Sequence, residues 1–523
     1  MPNRRSFKTD ESFLEKLAIG AIGACAVFEA LKRQGHRPIE LERGSMSYKI
    51  WKQIKIKRLR VPDILCLSCG THVEARAKTQ LEISMSHSLS DPDRGWDKGL
   101  ADRDVVALSL RSKSGERPVD WQANELIQFT TAAELRKAFD EKRVILTKPK
   151  GAQEGFELRV TWPAVVASSD GMVSAVSETR IQFRRNTASR TISLGLKRGE
   201  ISLLPLVQTG DPIRAGQIIA SVVPVSSAIP CAGTPAENLF VQMLSSSSVA
   251  DRYTAAKALS HIQSPSGAQA LLARINDESE HIYVRLESAA GLARTGQAVG
   301  MEFIRRTLED QYLEHRLEAV IILGEIRSPE SAQTLTGVLL DTNQHTEIRA
   351  GAAWALGELQ QQSSVDALIQ VFLELAEPIR IEAARALRKI AAATGANISA
   401  KFSAAQEDQR AGIAWALSRS GRVGVLELLS LMVDDDARRW VAYILGTQNK
   451  DAFVTQIEEL RRRDPEVYFA VTVLWKILAS WIYDLEEFLH APLASHTALY
   501  HAMGRSPRRR LACPAATASA GIR

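Results

Sequence analysis

Apolar, small and polar positions along residues 235–488 recur in one phrase: an Arg, an Ala three or four positions on, and a Leu seven positions on. The copies run Arg252–Leu259, Arg285–Leu292, Arg316–Leu323, Arg349–Leu356, Arg380–Leu387, Arg410–Leu417 and Arg438–Leu445. Successive arginines stand 33, 31, 33, 31, 30 and 28 residues apart, the length of a helical hairpin. At this spacing Arg, Ala and Leu share one helix face, where small Ala admits a neighbouring helix and Leu fills the gap. A period of this length predicts an α-solenoid, in which each unit buries its apolar face only against the next.

Upstream the pattern changes. Residues 10–34 predict one helix, capped by Thr9 or Asp10, with Glu11 in its first turn and Gln34-Gly35 at its end. Its apolar run, Leu17 to Phe28, is twelve residues long, too short to span a bilayer. Ile54 and Ile56 then alternate with basic residues, and strands are expected at Val61–Leu67, Thr71–Lys78 and Asp104–Leu110, the first two joined by Ser68-Cys69-Gly70. Short strands between turn signals follow, such as 156–162, 172–176, 191–194 and 217–223. The expected chain is multidomain: an N-terminal α/β module (1–142), a small all-β module (143–223), a linker rich in Pro and Ser (224–234), the α-solenoid (235–490) and a disordered basic tail (491–523).

Composition sharpens this only locally. With 523 residues, 45% hydrophobic and 24% charged, the chain reads as a soluble protein of several domains. Net charge is +6, yet residues 1–70 alone hold fourteen Lys/Arg against seven Asp/Glu. Such an excess suits nucleic acid, with Lys55, Lys57, Arg58 and Arg60 as candidate phosphate contacts, or a solvated basic face. Five cysteines, an odd number, predict a reducing compartment rather than a disulfide framework. No apolar core follows the basic start within signal-peptide range, so a cytoplasmic protein without membrane attachment is expected. No P-loop, dinucleotide fingerprint or nucleophile elbow is visible.

The repeated phrase resembles HEAT repeats, especially the short kind found in phycobilisome lyases. Asp277, Asp310, Asp341, Asp408 and Asp436 stand shortly before the row arginines. In HEAT repeats such Asp and Arg form a ladder, so the resemblance implies that Arg252, Arg285, Arg316, Arg349, Arg380, Arg410 and Arg438 are structural; an anion-binding stripe is the alternative. Trp354, Trp415 and Trp440 are expected to pack between helices, and the segment from Asp464 to cap the stack. The resemblance implies a protein partner on the concave face, or, taken at face value, a tetrapyrrole (bilin) lyase. Thr209–Ala220 looks like the turn of biotinyl and lipoyl modules, but the modified Lys setting of those modules is missing, and no prosthetic group is expected.

Two constellations near the N-terminus carry candidate chemistry. Pro62-Asp63 is followed, across a turn, by Glu74-Ala-Arg76-Ala-Lys78, behind a helix bearing Glu15. This is similar to the PD-(D/E)XK nuclease superfamily in its order of helix-Glu, strand, Pro-Asp, turn and acid-x-Lys. The resemblance implies Mg²⁺ held by Asp63 and Glu74, with Arg76 or Lys78 as the cation beside the attacked phosphodiester and Glu15 in support. Arg stands where the family has Lys, and Arg is a poor proton acceptor. The second constellation is Cys66-Leu-Ser-Cys69-Gly70 with His72, half of a zinc site or a reduced, metal-free turn. The expected function is a HEAT-repeat adaptor with a nucleic-acid-directed N-terminal module. The alternative is a Mg²⁺-dependent endonuclease that the repeats target.

Overall fold

The computed structural model describes residues 10–42, 59–79, 82–91, 94–115, 120–148, 157–186, 191–231, 236–394 and 398–420, with scattered positions up to Arg463. Lys55, Lys57, Arg58, Arg438, the capping segment from Asp464 and the tail 491–523 lie outside the described residues. Two compact units divide at Leu271 and Leu272.

The first unit opens with α1 (Asp10–Arg33), β1 (Pro38–Glu40), β2 (Ile64–Cys66), β3 (His72–Lys78), β4 (Ile83–Ser88), β5 (Val105–Lys113), β6 (Trp121–Thr131) and α2 (Ala132–Asp140). Five of these strands form one sheet in the order β1-β2-β3-β5-β6. Only the β3–β5 pair is parallel. Alternation decides the faces. Val73 and Ala75 of β3 join Ile64, Val105 and Ala107 against Val27, Ala30 and Leu31 of α1. Gly23 lets α1 come this close, because a Cβ there would sit 2.5 Å from Ala77 Cβ. Glu74, Arg76 and Lys78 therefore face away from α1.

Next come β7 (Ile145–Thr147), β8 (Glu157–Trp162), β9 (Ala164–Val166), β10 (Gly171–Val176), β11 (Arg180–Arg185), β12 (Thr191–Gly195), β13 (Lys197–Arg198), β14 (Ile201–Ser202), β15 (Leu204–Pro205), β16 (Pro212–Ile213) and β17 (Ile218–Ser221). They make small sheets ordered β4-β8-β7, β12-β11-β10-β16, β15-β17-β9 and β13-β14. The division expected at 142/143 does not coincide with a break in the core. Val106 and Leu108 of the first sheet share one apolar cluster with Leu135, Val160, Trp162, Ile181, Ile219 and Val223. Trp162 donates its indole N–H to the Leu135 carbonyl at 2.9 Å, and Gln128 of β6 brackets β17 by bonding Gly216 O and Ile218 N.

The expected linker is likewise built into the unit over its described part. Ser226 and Phe129 exchange backbone hydrogen bonds of 2.9 and 2.8 Å, and the Gln34 side chain holds Ser227 O and Ile229 N. A Ser- and Pro-rich composition signals the lack of a continuous ladder; it does not prevent single bridges of this kind.

Helices make up the rest: α3 (Glu237–Met243), α4 (Val249–Ile262), α5 (Pro265–Asn276), α6 (Ile282–Arg294), α7 (Ala298–Thr307), α8 (Leu313–Ile326), α9 (Pro329–Leu340), α10 (Thr346–Leu359), α11 (Val365–Gln370), α12 (Glu377–Thr394) and α13 (Glu407–Ser420). Local signals start and stop them. Ser328 caps α9, with Pro329 in the first turn, and Gln360 ends α10 in the left-handed region at φ 55°. In the second unit α6, α8, α10, α12 and α13 carry the Arg phrase and pack successively on one another. No helix among the described residues is long and apolar enough to cross a membrane.

Candidate functional site

The β2–β3 register pairs Ile64 with Val73, so one step further Asp63 lies opposite Glu74. Asp63 is buried and accepts the Ala75 N–H at 2.8 Å. Burial first, and then the negative charge of Glu74, push its carboxyl well above the ordinary carboxylate range; the Ala75 N–H opposes them, and Glu42 adds to the rise. Glu42, which the sequence did not single out, is brought in by backbone bonds from Leu41 and Glu42 to the Asp63 carbonyl. Glu74 pairs with Arg76 at 2.9 Å. Lys78 donates to Ser84 O at 2.7 Å, and burial, then Arg159 and Arg76, pull its ammonium down to about 8. Asp63, Glu74, Arg76 and Lys78 thus gather on one face of the sheet, at and beside its central strand. Glu15 does not join them: it rides on α1, across the sheet, and pairs with Lys113 at 3.4 Å. Arg60 is exposed.

The structure separates His72 from the two cysteines expected beside it. His72 Nδ1 meets the buried Asp104 at 3.0 Å, and Asp104 also accepts the Ala101 N–H. In its place stand His36, just past the C-terminus of α1, and Cys231, in the expected linker. Their ligand atoms and those of Cys66 and Cys69 all lie within 4.8 Å of one another. Burial pushes the Cys66 thiol up to about 11 against backbone N–H groups of Cys69, Arg37 and Ser68. Burial also opposes ionisation of Cys69, but hydrogen bonds with Thr71, Cys66 and His36 outweigh it and bring that thiol down to about 7. Among the described residues this is the one group in which three or more candidate metal ligands converge so closely. A sequence signal existed for Cys231, a thiol stranded in a Ser/Pro tract, but none tied it to residues 36 and 66.

Five of the six described row arginines act mainly on backbone, whereas the buried Nε of Arg380 has no hydrogen-bond partner among the described residues. Arg285 Nε donates to Ile275 O at 3.1 Å, Arg349 Nε to Leu339 O at 2.8 Å and Arg410 Nε to Phe402 O at 3.0 Å. Arg316 bonds the Asp310 carbonyl, and Arg252 reaches Ser246 O and Ser247 O. Each guanidinium thereby satisfies carbonyls left open where the preceding segment ends. Links to the next repeat come from Arg316 to Gln344 at 2.9 Å and from Arg349 to Glu374 at 2.6 Å. The carboxylates of Asp277, Asp310 and Asp341 bond backbone N–H groups of their own turns, at Ser279, Tyr312 and Asn343. Trp415 and Trp440 are buried, Trp440 donating to Glu407 at 3.3 Å, while Trp354 is half-buried beside Lys389. Arg349→Met is expected to cost about 2 kcal/mol, since it leaves the Leu339 carbonyl without its donor and breaks the Glu374 pair. Urea unfolding followed by circular dichroism measures this, and a change below a few tenths would contradict the capping role.

A family model of HEAT repeats matches residues 301–388. No curated protein matches the chain. Among solved structures, human deoxyhypusine hydroxylase with glycerol is 18% identical, covering 47% of this chain and 95% of its own, with a TM-score of 0.20. A designed armadillo repeat protein in complex with the peptide (KR)4 is 18% identical over 46% of this chain and 98% of its own, at 0.18. An engineered protein is 18% identical over 48% and 78%, at 0.25. Residues 236–420 of this chain are a run of helices that contains HEAT repeats at 301–388.

Proposed function

We propose that this chain is an interaction protein whose HEAT-repeat array docks a protein partner on its concave face while the N-terminal unit engages nucleic acid. The repeat match over residues 301–388 carries the reading, because stacked repeats offer extended concave surfaces to macromolecules. Hydrogen exchange with and without a captured partner tests the docking half. Protection is expected within residues 272–420, and protection confined to residues 10–231 overturns it. The basic excess of residues 1–70 supports the nucleic-acid half. Fluorescence anisotropy with DNA and with RNA, between about 50 and 200 mM salt, should show binding that weakens steeply with salt. In the Lys55→Glu/Lys57→Glu/Arg60→Glu variant the salt slope should flatten by about one per lost phosphate contact. Salt-independent binding, or an unchanged slope, counts against it.

One observation favours a second reading, a Mg²⁺-dependent nuclease. The chain runs helix, strand, Pro-Asp, turn, acid-x-Arg-x-Lys, and the buried Asp63 carboxyl feels the Glu74 charge at the paired position of the next strand. Mg²⁺ is commonly held by one or two carboxylates plus substrate phosphates, so Asp63 and Glu74 suffice as the protein's share. When bound, the ion would supply charge neutralisation at the phosphodiester. Lys78, with its proton loosened, is better suited than Arg76 to accept a proton from water. Incubation with DNA and RNA in Mg²⁺ or Mn²⁺, beside Asp63→Ala and Glu74→Ala, separates the two readings. Cleavage lost in both variants is expected of a nuclease; wild type as inert as the variants removes that reading and leaves the adaptor.

A further inference from the structure

Three chain segments that are distant in sequence deliver three sulfurs and one imidazole to a single point. We propose that His36, Cys66, Cys69 and Cys231 bind one zinc ion in a closed, structural Cys₃His site. The spacing fits the ion. With Zn–S near 2.3 Å and Zn–N near 2.05 Å, tetrahedral geometry requires S···S of about 3.8 Å and S···N of about 3.6 Å. Cys66 Sγ lies 4.0 Å from Cys231 Sγ, and Cys69 Sγ lies 3.6 Å from His36 Nδ1. A disulfide would need sulfurs near 2.05 Å instead.

The surroundings are those a zinc site requires. His36 Nε2 stands 3.1 Å from the Ile229 carbonyl, which fixes Nε2 as the protonated nitrogen and leaves the Nδ1 lone pair aimed at the sulfurs. Cys66-Leu-Ser-Cys69-Gly70 is folded as a knuckle. Gly70 takes φ +73° and donates to the Cys66 carbonyl at 2.9 Å, so a side chain at this position would strain the turn. The Thr71 hydroxyl stands 3.1 Å from the Cys69 sulfur. Such a donor disperses the negative charge that three thiolates and one Zn²⁺ leave behind. A sulfur-rich donor set selects soft metals over Mg²⁺ or Ca²⁺, and four protein ligands leave no open position for substrate. The ion would close the first unit on itself, joining the end of α1, the β2–β3 turn and the segment after β17. This site is independent of the Asp63 and Glu74 carboxylates.

The test uses the full-length chain, purified under reducing conditions, with metal measured by mass spectrometry. One zinc per chain is expected, and a Co²⁺-exchanged sample should show the intense visible bands of a tetrahedral site with thiolate charge transfer in the near ultraviolet. Cys231→Ser and His36→Ala should each lower zinc retention against a chelator at least tenfold, while His72→Ala should match wild type. Zinc near zero in the wild-type chain overturns the proposal, as does Cys231→Ser holding zinc as tightly as wild type. If the ligand variants fail to fold, alkylation of the wild-type chain decides. Cys66, Cys69 and Cys231 should resist iodoacetamide until a chelator is added. Equal labelling with and without chelator, or a Cys66–Cys231 disulfide-linked peptide in the freshly purified protein, rejects the site.

Discussion

Gly357→Val is expected to destabilise the helical unit by about 3 kcal/mol, the upper end of the cost of overpacking. A Cβ at this position would lie 2.8 Å from Ala386 Cα and 2.9 Å from Ala386 Cβ, where α10 crosses α12. The nearest obstacle is backbone, so no rotamer change relieves it. Gly324 occupies the same place one repeat earlier, and its added Cβ would meet Ala355 Cβ at 3.1 Å and Cα at 3.3 Å. There a few tenths of an ångström suffice, and replacing Gly within a helix gains roughly 1 kcal/mol of propensity. Gly324→Ala should therefore stay within about 1 kcal/mol of wild type. Chemical denaturation monitored by helical circular dichroism compares the two. Equal midpoints for Gly357→Val and wild type would mean that these helices do not meet at that crossing. The contrast isolates what sets the repeat register: the Gly after the Leu of one phrase sits against the Ala before the Leu of the next.

Asp63→Asn is expected to raise stability near neutral pH, by about 1 kcal/mol, the size of an ordinary stabilising replacement. Burial and the charge of Glu74 hold the Asp63 carboxyl well above its usual range, so the folded state keeps a proton that the unfolded chain has released. Below the ordinary carboxylate range both states are protonated and the residue contributes no pH dependence. As pH rises from there toward the raised folded value, the unfolded chain binds fewer protons and wild-type stability falls. Asn keeps the acceptor for the Ala75 N–H and carries no charge, which removes that slope. The gain should therefore shrink on acidification and vanish near pH 4, close to the ordinary aspartate value. Mg²⁺ supplies the second readout. On the nuclease reading it should raise the wild-type melting temperature and leave Asp63→Asn unchanged, because an ion that binds only the folded carboxylate pair stabilises it by mass action. A variant less stable than wild type at pH 7 refutes the electrostatic account of Asp63. An equal response to Mg²⁺ in both proteins refutes its role as a ligand.

The residue pattern disclosed what is periodic or local. The helical half was legible because its phrase returns about every thirty residues, and the β2–β3 hairpin because Ser68-Cys69-Gly70 is a turn between two apolar runs. β6 and α2 were not anticipated. Trp121–Thr131 mixes polar and apolar residues without clean alternation, since only its second half is buried. The arginines were expected opposite aspartates because sequence shows which charges are near along the chain. It does not show that an open carbonyl at the end of a segment is nearer to the guanidinium, or that Asp277, Asp310 and Asp341 are occupied closing their own turns. The cysteine group was half legible for a related reason. Cys66 and Cys69 are joined by a turn, but His36 and Cys231 arrive through the packing of α1 and of the segment after β17. Glu15 has the right position along the chain for the carboxylate site, yet the pleat of β3 places that site on the other side of the sheet.

The segment 224–231 has a consequence for solubility. β6 is the outermost strand of the five-stranded sheet, and such a border invites pairing with another chain. Ser226 occupies the backbone of Phe129 on that border, and the Gln34 side chain keeps the segment from peeling away. What reads as a spacer in the sequence thus serves as a guard rail. A chain trimmed at Val223 would lose it and offer β6 as a seed for strand-to-strand aggregation.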